Sequence, residues 1–188
     1  MAGLMSEKNE TNKPKLVHPA TGHHGMTELH YAAYRNDPDA VRVQLQGEVF
    51  VDVRDDNGWT PLHWSIDMAQ AGGKPEQVVA LLLAAGASPN AVDQSDCSVL
   101  MLACGRNNEA ILRQLVEAGA EIHSRSRSGT TPLHEAASCN FSEAIRLLLM
   151  LGLDPRQIDN RNRTPEEVAE YCGFDESVAV FKAARLAR

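Results

Sequence analysis

Aromatic side chains are scarce, at 5% of 188 residues, so a core must be assembled from Leu, Val, Ile and Ala, a palette that leans towards helices. Cysteines are few and solitary: Cys97, Cys104, Cys139 and Cys172 include no CxxC pair, which argues against a zinc cluster. Without a secretory context they read as reduced thiols. No run approaches the ~18 apolar residues of a membrane span, and the segment from Met1 to Glu10 holds no apolar stretch of signal-peptide length. A cytoplasmic protein with no membrane association is therefore expected, and the N-x-[ST] triplets at Asn9 and Asn140 read as chance matches. Positive charge is also short. A net charge of −7 argues against a nucleic-acid partner, which requires Lys and Arg to displace phosphate counterions, and suits a basic protein partner better.

Catalytic signatures are missing as well. There is no Gly-rich phosphate loop, GxSxG elbow, HExxH or EF-hand pattern. Gly72-Gly73-Lys74 lacks both the leading Gly and the trailing Ser/Thr of a phosphate loop, and reads as a flexible turn.

What is present is a repeat. Thr27-Glu-Leu-His30, Thr60-Pro-Leu-His63, Ser98-Val-Leu-Met101, Thr131-Pro-Leu-His134 and Thr164-Pro-Glu-Glu167 align, and their first residues are 33, 38, 33 and 33 apart. Regular spacing of this length marks a repeat architecture. A second block follows each of the middle three: Val79-Ala-Leu-Leu-Leu-Ala-Ala-Gly-Ala87, Leu112-Arg-Gln-Leu-Val-Glu-Ala-Gly-Ala120 and Ile145-Arg-Leu-Leu-Leu-Met-Leu-Gly-Leu153. Together with Asp55-Asp-Asn-Gly-Trp-Thr-Pro-Leu-His63 and Gly129-Thr-Thr-Pro-Leu-His-Glu-Ala-Ala137, these residues resemble the ankyrin-repeat family over about residues 21 to 188. The resemblance implies an all-α fold, an ankyrin-repeat solenoid of five helix-turn-helix repeats with projecting loops.

Local physics supports the same reading. Thr before Pro is an N-cap before a residue with preset helical φ. Ala32, Ala33, Ala103, Ala136 and Ala137 in the first helices allow close approach of neighbouring helices. In the second helices Val79, Leu82 and Leu83, then Leu112, Leu115 and Val116, form apolar stripes at helical spacing. Gly86, Gly119 and Gly152 follow those helices, where a left-handed cap is wanted. The expected organisation is a flexible tail over 1–20 and a repeat domain over 21–188, with repeats near 21–54, 55–92, 93–125, 126–158 and 159–188. The ends are atypical, as solenoid ends are. Glu166 and Glu167 stand where Leu and His stand elsewhere, and Gln46 to Asp52 departs from the usual Gly-Ala loop.

His30, His63 and His134 hold the fourth place of the repeated block, where the resemblance implies a structural imidazole bonding backbone between repeats. His18, His23 and His24 form the one local histidine cluster, without the Cys or carboxylate partners a metal site needs. No metal, cofactor or catalytic residue is assigned, and the chain is read as not an enzyme.

Ankyrin repeats bind partners through their loop tips and the concave face of the first helices. The resemblance places Met26, Trp59, Cys97, Thr130 and Arg163 on that face, then Tyr31, Trp64, Leu102, Glu135 and Val168. Tyr34, Arg35, Asp67, Met68 and Arg106 follow on the same side. Protein binding is thus assigned to Met26, Tyr31, Tyr34, Arg35, Trp59, Trp64, Asp67, Met68 and Arg106, since Trp, Tyr and Arg are enriched at binding hot spots. For Tyr31 and Trp64, packing between repeats is an equal alternative. Five extra residues fall within Asp67–Glu76 and are expected to lengthen the connection between the second repeat's helices, lining the groove or merely tolerated there. The loop tips segregate charge, with Asp52, Asp55, Asp56, Asp93 and Asp96 in the first half and Arg125, Arg127, Arg156, Arg161 and Arg163 in the second. This pattern suggests a partner with opposing patches.

The expected function is a monomeric, non-catalytic module that binds another protein and acts as adaptor or inhibitor by occlusion. Narrower versions are an immunity protein masking a toxic enzyme, or a secreted effector binding host proteins. The alternatives from other classes are a metal or thiol enzyme using His23, His24 or a cysteine, and a purely structural scaffold.

Overall fold

The computed structural model describes residues 25–69 and 71–186. The expected tail over 1–20, and the histidines His18, His23 and His24, lie outside the described residues. Among those described, the chain is ten helices and no strand, with an isolated bridge between Val92 and Ser98.

The helices come in pairs. α1 (Glu28–Tyr34) and α2 (Pro38–Leu45) form the first, α3 (Pro61–Asp67) and α4 (Pro75–Ala84) the second, α5 (Val99–Gly105) and α6 (Glu109–Glu117) the third. α7 (Pro132–Ser138) with α8 (Ser142–Met150), and α9 (Pro165–Cys172) with α10 (Asp175–Leu186), complete the five. First helices stack in the order α1, α3, α5, α7, α9, and second helices in the order α2, α4, α6, α8, α10. This is a solenoid, in which each pair buries its apolar surface on its neighbours.

Four of the five first helices begin with the same reciprocal cap, while α5 has only the one-way cap in which Ser98 Oγ accepts from the Met101 amide. The Thr27, Thr60 and Thr131 amides donate to Nδ1 of His30, His63 and His134 at 3.1, 3.1 and 3.2 Å. In the last repeat the Glu167 carboxylate does the imidazole's work, accepting from the Thr164 amide at 2.7 Å. Threonine and the residue three places on thus each satisfy a backbone donor that the helix leaves orphaned. Because Nδ1 accepts, the ring proton sits on Nε2. From there His30 donates to the Trp59 carbonyl at 3.0 Å and His134 to the Arg163 carbonyl at 2.9 Å, tying each repeat to the loop of the next. His63 faces the Cys97 backbone in the same way without closing a hydrogen bond.

The core follows the apolar stripes with one adjustment. Val79, Leu82, Leu112 and Leu115 are fully buried, whereas Leu83 and Val116 are only half-buried; Val78 and Ile111 fill the core instead. The alanines of the first helices are buried, as close helix contact requires. Gly86, Gly119 and Gly152 end α4, α6 and α8 at φ of 92°, 89° and 90°, the left-handed conformation expected of that cap.

The insertion divides in two. α4 is one residue longer than α6 and α8, ten against nine, and the other extra residues lengthen the α3–α4 connection. That connection is anchored to the first repeat: the Lys74 amide donates to the Asn36 carbonyl at 2.9 Å, and the Asn36 side-chain amide donates to the Ser65 carbonyl at 3.2 Å. Gly73 has φ of 80°, and a Cβ there would sit 2.6 Å from the Asn36 carbonyl oxygen and 2.8 Å from that of Arg35. Both neighbours are backbone and cannot swing away. Gly73→Ala is therefore expected to lower stability by at least about 1–2 kcal/mol, the left-handed cost for a residue with a Cβ, read as a drop in urea midpoint. An unchanged midpoint would mean that the connection is not seated on the first repeat.

Candidate functional site

The first two repeats carry a continuous row of rings. Tyr31 and Tyr34 lie one helical turn apart on α1 and stack at 6.2 Å between centroids, 12° from parallel. Tyr34 meets Trp64 of α3 edge-on at 5.7 Å and 70°. Trp64 in turn meets Trp59 at 4.8 Å and 60°, and Trp59 lies over His63 at 5.9 Å and 25°. The Arg35 guanidinium stands 6.0 Å from the Tyr31 ring centroid, at the outer limit of a cation–π contact.

Trp64 is the keystone of this row and is 6% exposed. Its indole N–H donates to Asp55 Oδ2 at 2.9 Å. Asp55 Oδ1 meanwhile accepts from the Asn57 and Trp59 amides at 2.9 and 2.8 Å, closing the loop that precedes α3. One buried carboxylate therefore sets both the loop and the indole. Of the two readings open for Trp64, the geometry favours packing. Trp59, by contrast, is half-exposed, and so are Tyr31 and Tyr34.

Between the rings and the loop tips lies an open hollow of about 640 Å³. One wall is Tyr34 of α1 with Trp64 and Asp67 of α3, flanked by Trp59 before that helix and Met68 at its C-cap. Its opposite wall is Asn57 with Asp93, Gln94 and Ser95, the tips of two successive loops. Arg106 of the third repeat reaches back to make an ion pair with Asp67 of the first wall. Eight of the nine residues assigned from the sequence thus fall in or beside one groove.

Met26 is the exception. It is 1% exposed, so its side chain is spent on packing and presents no surface. The residue before the cap points into the groove at Trp59, but at the first repeat the equivalent position is closed over. The loop-tip wall was missed as a site, although a signal existed: Asn57 and Ser95 each stand three places before their cap residue, so one register locates both.

The segregated charges also look different in three dimensions. Arg127 pairs with Asp96 at 2.9 Å, Arg156 with Asp154 at 3.0 Å and Arg163 with Asp159 at 2.8 Å. These arginines brace their own or adjacent loops, which reduces the field that the linear pattern suggested. The thiols are likewise held in their protonated form where buried. Burial pushes Cys97 up to about 12, and it pushes the fully buried Cys104 higher still. That is the opposite of the low-pKa environment that activates a nucleophilic cysteine. Among the described residues, no helix is long and apolar enough to cross a membrane, and no group of three or more His, Cys, Asp or Glu is placed to hold a metal ion.

The family model described as ankyrin repeats (3 copies) matches residues 4–93 and 67–159 of this chain. No curated protein matches it.

Proposed function

This chain belongs to the ankyrin-repeat family, whose repeats are in general protein–protein interaction modules without catalytic activity, and on that footing we propose that it binds a protein partner through the concave groove of its first two repeats and the adjoining loop tips. The observation that carries this reading is the placement of Trp59. It is a large, rigid ring held half-exposed at the mouth of the hollow by a carboxylate-braced loop, and such preorganised aromatic anchors supply much of the binding energy at interfaces. Tyr31, Tyr34, Arg35 and Met68 extend the surface around it, and the Asp67–Arg106 pair marks its boundary. A bound protein would cover the groove and act by occlusion, as an adaptor or an inhibitor. The acidic balance of the chain suits an immunity protein or an effector no less than an adaptor, and a neighbouring toxin gene would select the first.

Trp59→Ala is expected to weaken partner binding by more than about 1 kcal/mol, at a stability cost well below that of a core truncation. The check is affinity capture from native lysate with the wild type and the variant side by side, followed by titration of the captured chain. Equal affinity for both would remove Trp59, and with it this groove, from the interface.

A further inference from the structure

We propose that the hollow between the rings and the loop tips seats the guanidinium of an arginine presented by a basic peptide segment of the partner. This rests on the groove being the binding face.

The hollow is lined by aromatic rings and by hydrogen-bond acceptors. Half-exposed Trp59 and Tyr34 line the space, with the buried Trp64 edge-on to each of them at 60° and 70°. A cation within about 6 Å of such a ring is attracted by its quadrupole. The one indole donor of Trp64 is turned away, already given to Asp55. On the facing wall Asp93 Oδ1 accepts from the Ser95 and Cys97 amides at 2.7 and 3.0 Å, while Oδ2 has no hydrogen-bond partner among the described residues. The Gln94 amide donates its N–H to the Asp56 carbonyl at 2.7 Å, leaving its own carbonyl oxygen as an acceptor. The two nearby arginines are engaged: Arg106 on Asp67, and Arg54 on the Gly58 and Val92 carbonyls.

Complementarity then selects among ligands. An apolar side chain would strip water from Asp93 and the amides and return no hydrogen bond. An acidic one would meet Asp93 and the exposed Asp56 in a chain of net charge −7. A lysine ammonium satisfies the charge but is a compact point, whereas a planar guanidinium stacks on an indole and forks onto a carboxylate at once. Arg35 against Tyr31 already shows this chemistry within the same row of rings.

Both tryptophans of the chain belong to this site, so their intrinsic fluorescence reports on it directly. The probe is a random dodecapeptide display library selected on the full chain, with the enriched peptides then synthesised as arginine and as citrulline versions. The neutral ureido group of citrulline keeps the shape and removes the charge. Enriched peptides are expected to share an arginine, to shift the tryptophan emission, and to lose at least about tenfold in affinity on arginine-to-citrulline exchange. Asp93→Asn, which keeps an acceptor for the loop amides, is expected to weaken the arginine peptide severalfold and leave the citrulline peptide unaffected. The citrulline arm leaves the protein untouched and so stands even if Asp93→Asn disturbs the loop. Peptides that depend on Trp59 but bind equally as citrulline versions, or that carry no arginine, overturn the inference while the groove stands. Peptides indifferent to Trp59→Ala overturn both, as does a library from which nothing is enriched.

Discussion

Leu82→Ala is expected to cost about 2–5 kcal/mol of unfolding free energy, the range for emptying a well-packed leucine site. Leu82 lies on the inner face of α4 and is 0% exposed. It sits in the second of five pairs, on a helix that packs against α2, α3 and α6. The loss has outsized consequences in a solenoid, because stability is close to a sum over repeats and their nearest-neighbour contacts. Weakening one interior interface lets the pairs on either side uncouple. Leu148→Ala on α8, also 0% exposed, should behave alike, while Met150→Ala two residues on, at a position 84% exposed, should cost almost nothing. Urea denaturation of the three variants decides the matter. A cost at Leu82 comparable to that at Met150 would mean that the helix faces are assigned the wrong way round.

The second large effect is acid lability. The His63 ring is 1% exposed, and burial is the main force lowering its pKa from 6.5 to about 4. Burial lowers His30 and His134 in the same direction. A second proton would have to enter at Nδ1, which already faces the cap amide. Between about pH 6.5 and 4 the unfolded chain therefore holds a proton on His63 that the folded chain refuses. Stability rises with pH across that window and is lost as the pH falls through it. For His63 alone the loss by pH 4 is about 3 kcal/mol, and the other two imidazoles add to it. Glu135 acts the opposite way near the lower edge, since burial raises its carboxyl pKa and the folded chain takes that proton first. The measurement is the urea midpoint at about pH 7 and about pH 4.5 for the wild type and His63→Asn. The variant should show the shallower pH dependence whatever its absolute stability. Parallel profiles would remove His63 as a source of the lability.

Much of this architecture was legible in the linear chain because it is built from local rules repeated in register. Thr-Pro caps, left-handed glycines and apolar stripes depend on residues within a few places of one another. The even spacing of the blocks then forces identical pairs to stack. The same register carried the row of rings, since Tyr31 and Trp64 hold the same place in successive repeats and Tyr34 and Trp59 fall at two other positions assigned to that face. Even the substitution of Glu167 for histidine kept its local logic, because a carboxylate three places after threonine completes the same cap.

Exposure was settled elsewhere. Whether a groove residue faces water depends on what the next repeat and its loop lay over it, and those contacts join residues about thirty places apart. Met26 and Trp59 hold equivalent positions, yet one is buried and the other open. Trp64 became a structural residue when Asp55 claimed its N–H, and the second wall of the hollow exists only because two loops stack side by side. The insertion followed the same pattern: its length was plain, but its docking against Asn36 required the first repeat to be in place. Periodicity along the chain determined which helices form and which side of each is apolar. Packing between repeats decided which side chains remain free for a partner, because burial belongs to the stacked assembly and not to any single repeat.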